Sequence, residues 1–66
     1  MVLNMKMARI GAGLTQAQVA EKMGIHVQTY AKMENDPELV TIKDAKNFSK
    51  IVGVEWTQIF FGNNSN

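Results

Sequence analysis

The 66-residue chain has no cysteine, one proline, one histidine, one tryptophan and one tyrosine, and its longest apolar runs are three or four residues, such as Ile59 to Phe61. Each scarcity excludes something. Without cysteine there are no disulfides and no thiolate metal site, which suits a reducing compartment. With such short apolar runs nothing spans a bilayer, and the N-terminus lacks a signal-peptide core. With His26 alone and no carboxylate cluster at metal-ligand spacing, neither a metal nor another cofactor is expected, and enzymatic chemistry finds little support. Gly11 and Gly13 do not make a phosphate loop, because no strand precedes them and the Lys-Ser/Thr is missing. Charge of one sign is also lacking. The net +1 does not by itself announce a polyanionic partner, so any nucleic-acid reading rests on where the basic residues sit.

What is present is helical periodicity. A chain this short is one domain burying about 60% of its unfolded surface, and self-association is a natural supplement. Residues 1–62 are expected to form the domain, leaving 63–66 as a disordered tail. From Leu3 to about Ala12, the residues Met5, Ala8, Arg9 and Ala12 recur at i, i+3, i+4, i+7, one buried helical face. Gly11 and Gly13 weaken its end.

Thr15 with Gln18 forms a capping box that opens a second helix. Val19, Ala20 and Met23 face inward. Ala20 is small where another helix must cross closely, and Gly24 can take positive φ where the helix stops. A third helix starts near His26 or Val27 and ends near Asn35, before Pro37. At about 100° per residue, Tyr30, Met33 and Glu34 share one side and Gln28, Lys32 and Asn35 the other. The span from Thr15 to Asn35 therefore reads as a helix-turn-helix.

Arg9 and Glu34 are opposite charges on otherwise apolar faces. The expected outcome is a buried, bidentate ion pair; the alternative is that both reach water at helix margins. Asp36 to Val40 reads as a loop. Thr41 with Asp44 caps a fourth helix, in which Ala45, Phe48, Ser49 and Val52 face inward and Lys43, Lys46 and Lys50 outward, ending at Gly53. A fifth helix, about Glu55 to Phe61, buries Trp56, Ile59 and Phe60. The expectation is an all-α fold of five helices and no strands.

The runs LTQAQVAEKMGIHVQTYAKMEN and KNFSKIVGVEWTQIFFG resemble the Cro and repressor-type helix-turn-helix domains of phages and bacterial regulators. The likeness extends from about Met5 to Gly62 and includes the Arg of the first helix, the Thr-Gln opening the second, the Ala and Gly spacing, the Glu closing the third, and the Gly-Val before the fifth. It implies a lambda-repressor-like domain with its third helix in the DNA major groove and the second across the backbone. It makes Val27, Gln28, Thr29 and Lys32 the base readers. Gln16, Asn35, Lys43 and Lys46 become phosphate contacts, and Arg9 with Glu34 the pair joining helices one and three. The bare domain looks like a phage Cro-like regulator of bacterial cytoplasm.

The chemistry suits those roles. Gln28 can donate and accept together at adenine N6 and N7, Val27 can meet a thymine methyl, and Lys32 can donate to guanine O6 or N7, or to a phosphate. Two departures stand out. Asn35 is followed by Asp36, Pro37 and Glu38, where many relatives place Asn-Gly and a basic residue. His26 occupies the place of the usual Ser, Thr or Asn cap; it is either a titrating phosphate contact or a loop histidine without a role.

Two functions from different classes follow. One is a sequence-specific regulator of double-stranded DNA acting as a homodimer, with Trp56, Ile59, Phe60 and Phe61 supplying the interface; the alternative for those side chains is to cap the monomer core. The other is a module that binds a partner regulator on the same scaffold. The acidic Asp36 and Glu38 favour the second.

Overall fold

A computed structural model describes residues 3–60, with Phe60 described by its backbone alone. The element order is β1 (Leu3–Asn4), α1 (Met5–Gly11), α2 (Gln16–Met23), α3 (Val27–Asn35), a 3₁₀ turn (Pro37–Leu39), α4 (Ile42–Val52), a second 3₁₀ turn (Trp56–Gln58) and β2 (Ile59–Phe60). The fold is mainly helical, and its helix-turn-helix falls where the capping and glycine signals put it.

The chain ends of the helices obey local chemistry. Asn4 caps α1 by accepting from the Met7 amide at 2.8 Å, so the helix starts at Met5 rather than Leu3. At the other end α1 stops at Gly11, and Ala12 lies exposed outside it; the expectation of a buried Ala12 is corrected because the helix does not reach that far. Thr15 accepts from the Gln18 amide at 3.1 Å while the Gln18 side chain accepts from the Thr15 amide at 2.8 Å. The same reciprocal box joins Thr41 and Asp44, each box satisfying donors that a helix start leaves open.

The fifth helix does not form. Its place is taken by the Trp56–Gln58 turn and the strand Ile59–Phe60, which pairs in parallel with Leu3–Asn4 in the register Leu3↔Ile59 and Asn4↔Phe60. Ile59 and Phe60 are better strand formers, and the extended Leu3–Asn4 segment offers their backbone groups partners.

One core unites the elements. Met5 and Ala8 of α1, Val19 and Ala20 of α2, Tyr30 and Met33 of α3, Phe48 of α4 and Ile59 of β2 form a single buried cluster. Tyr30 and Phe48 stack with ring centroids 6.2 Å apart and planes inclined at 25°. Met23 is only half-buried, packing at the margin with Leu14, Ile25 and Ile51. Trp56, expected inside, is half-buried as well.

Candidate nucleic-acid interface

The turn between α2 and α3 is made by the backbone. Gly24 sits at φ 74°, its amide donating to Glu21 O at 3.1 Å while the Ile25 amide reaches back to Ala20 O at 3.0 Å. This double closure is a Schellman ending, which requires the left-handed conformation that glycine adopts freely. Ala20 is buried and Tyr30 and Met33 close over the same cluster, so α3 is held against α2 by its apolar stripe. His26 precedes α3 in extended conformation and makes no capping bond with its side chain.

A polar clamp fixes the far end of α3. Arg9 Nε donates to Glu34 Oε2 at 2.6 Å and Nη2 donates to Glu34 Oε1 at 3.4 Å. Arg9 Nη1 donates to the Leu14 carbonyl at 3.0 Å, and Gln16 Nε2 donates to Glu34 Oε1 at 3.0 Å. The two charged side chains are 11% and 5% exposed. The guanidinium and the carboxylate together thereby link α1, the turn after it, α2 and α3.

Electrostatics follow from that arrangement. The hydrogen bond to Glu34 raises the Arg9 pKa against the opposing effect of burial. Burial by itself would push the Glu34 carboxyl up, but hydrogen bonds from Arg9 and Gln16, with the Arg9 charge, hold it below the usual carboxylate value. Tyr30 moves the other way. Burial, then the Glu34 carboxylate, raises the Tyr30 pKa well above that of a free phenol, and its hydroxyl is buried without a hydrogen-bond partner among the described residues.

With its inner side so fixed, α3 presents the rest to solvent. Gln28, Thr29, Lys32 and Asn35 are exposed, and Val27 is 39% exposed in the first turn. Gln28, Lys32 and Asn35 are spaced i, i+4, i+7 and share one stripe. Gln16 is half-buried; with one amide proton committed to Glu34, its second proton and its carbonyl remain, beside the open backbone amides at the start of α2. Lys43 and Lys46 are placed on α4 instead, where they line a shallow depression with Ile42, Asn47 and Lys50.

Other sequence expectations land elsewhere. Ile59, expected at an interface, is 6% exposed and belongs to the core of the protomer. Trp56 lies beneath Lys46, whose ammonium is 5.9 Å from the ring centroid, a cation–π contact. The Phe60 side chain, Phe61 and the tail 63–66 lie outside the described residues. Two features had no sequence signal: the Leu14 carbonyl as a guanidinium acceptor, and the Lys46–Trp56 contact across the Gly53 turn. The Gln16–Glu34 bond lies between helices with no common periodicity; the family resemblance points to Gln16 only as a phosphate contact.

Two short helices closed by a glycine turn, the second with its polar side free, define a helix-turn-helix DNA-binding domain. The Helix-turn-helix family model matches residues 5–59, and the chain belongs to this family, that of Cro and repressor-type DNA-binding transcription regulators. No curated protein and no solved structure matches it. Among the described residues no helix is long and apolar enough to cross a membrane.

Proposed function

We propose that the chain is a Cro-like repressor that binds an inverted-repeat operator as a dimer, with α3 in the major groove. The observation that carries this reading is the exposed polar stripe of α3, backed by the Arg9–Glu34–Gln16 clamp. Gln28 reads adenine with a donor and an acceptor, Val27 meets a thymine methyl, and Thr29 and Lys32 complete the base contacts. Gln16, Asn35, Lys43 and Lys46 hold phosphates and set the register. In a two-fold dimer the two α3 helices lie about 34–36 Å apart, one turn of DNA.

A second reading is kept by the exposed Asp36 and Glu38 directly after α3, which repel a phosphate track. On that reading the domain binds a partner regulator and modulates it, with weak DNA affinity. Salt separates the two. Titration against the DNA flanking its own gene should give affinity falling with salt at a log–log slope of about −0.9 per phosphate neutralised. No binding at low salt would leave the second reading.

A further inference from the structure

Ile42, Lys43, Lys46, Asn47 and Lys50 line one shallow depression on α4, which thus holds three cationic side chains, one carboxamide and no carboxylate. Among the described residues the one ion pair is Arg9–Glu34, so none of these lysines is paired with an acidic side chain there. Lys43 and Lys50 stand at i−3 and i+4 from Lys46, spacings at which like charges on a helix repel. Such a group attracts an anion.

Lys46 differs from the other two lysines. Its ammonium lies 5.9 Å from the centroid of the Trp56 ring, within reach of a cation–π attraction. The turn after α4 arranges this. The helix stops at Gly53 with φ 75°, the Ser49 hydroxyl donates to the Val54 carbonyl, and the 3₁₀ turn that follows returns Trp56 to the side of α4. A carboxylate in that place would cancel the charge of the lysine. An aromatic face leaves the charge whole and the N–H donors on its open side free. Lysine is among the side chains that lose most rotamer freedom when they are held by a partner. Lys46 is exposed while Trp56 is half-buried, so a ring anchored in the protomer restrains a side chain that water alone would leave free.

We propose that Trp56 is a positioning residue for DNA binding: its ring holds the Lys46 ammonium at the α4 depression, ordered in advance for the phosphate that Lys46 contacts. This rests on the DNA-binding reading given above and on the place of Lys46 in it. It gives Trp56 a task inside the protomer, in place of the interface expected from the sequence.

A double-mutant cycle on the full chain tests it, with binding to an unrelated DNA duplex followed across a range of low salt concentrations. Trp56→Leu removes the aromatic face and keeps an apolar side chain; Lys46→Met removes the charge and keeps the stem. Lys46→Met should reduce the salt slope by about 0.9, one phosphate. Trp56→Leu should keep the wild-type slope, because every cation is still present, and weaken binding at fixed salt by about two- to fivefold. Affinity follows the fraction of lysine in the competent rotamer, and an exposed cation–π contact shifts that fraction on this scale. In the Lys46→Met background Trp56→Leu should change nothing further.

Equal weakening of both backgrounds by Trp56→Leu would make the ring a matter of folding alone, and no weakening in either would leave it without a role. Both results overturn the positioning and leave DNA binding standing. A Lys46→Met protein with the wild-type slope overturns it as well, by taking Lys46 off the phosphates. Wild type that fails to bind at low salt removes the DNA-binding reading along with it. Circular dichroism checks that each variant is folded. Should leucine unfold the chain, the fluorescence of Trp56, the sole tryptophan, decides instead. Its emission should change on addition of DNA to wild type and not to Lys46→Met, and the same change in both would refute the proposal.

Discussion

Arg9 and Glu34, 25 positions apart in the chain, meet through Nε and Oε2 at 2.6 Å, with a second, longer bond from Nη2 to Oε1. The contact ties the first helix to the end of the one that faces solvent. Arg9→Ala leaves Glu34 with Gln16 as its remaining side-chain hydrogen-bond donor among the described residues, in a site that is nearly closed to water. Loss of about 3–5 kcal/mol is expected, the scale for a buried charge deprived of its partner, measured by chemical denaturation. Arg9→Lys should fall between, since an ammonium cannot reproduce the forked geometry. A cost for Arg9→Ala below about 1 kcal/mol, the range of exposed pairs, would contradict the clamp.

The same cluster sets limits at both ends of the pH scale. Glu34 has a lowered pKa in the folded state, so its contribution is complete above the ordinary carboxylate range and is lost as pH falls through the lowered value. Tyr30 has a raised pKa; its neutral form is the one the fold accepts, so stability is intact below the ordinary phenol value of 10.0 and falls as pH rises above it. Because Tyr30 is the sole tyrosine of the chain, tyrosinate absorbance reports it directly. The signal should appear together with loss of helical circular dichroism. Tyrosinate forming while the helices remain intact would show that Tyr30 is not sealed in the core.

Gly24→Ala tests the turn on its own. A Cβ at this position meets nothing within 4 Å, so the cost is that of holding a non-glycine residue at φ 74°, about 1–2 kcal/mol. Thermal or denaturant unfolding measures it. No loss of stability would mean that the turn is not the left-handed ending described.

How much of this was written legibly in the sequence differs from one element to the next. Thr15 with Gln18 and Thr41 with Asp44 announce helix starts because a capping box needs only residues three apart. Gly24 marks a stop for the same local reason. Arg9 and Glu34 could be paired across 25 positions because each interrupts an apolar stripe and only one opposite charge does likewise. Ile59 and Phe60 read as helical in the sequence because their i, i+3, i+4 relation to Trp56 fits a helix, while the partner that makes them extended, Leu3–Asn4, is at the other end of the chain. For the candidate DNA contacts, periodicity gave the exposed stripe of α3, and the family likeness supplied the roles.

Gln28 is the proposed adenine reader, so the decisive measurement is the binding of wild type and Gln28→Ala to operator DNA from beside the gene, with unrelated DNA as control and salt held constant. Gln28→Ala should lose about 1–3 kcal/mol of discrimination for each bidentate base contact removed, while affinity for unrelated DNA, set by phosphates, stays unchanged. Equal affinity of wild type for both DNAs, or full discrimination retained by Gln28→Ala, would contradict that role.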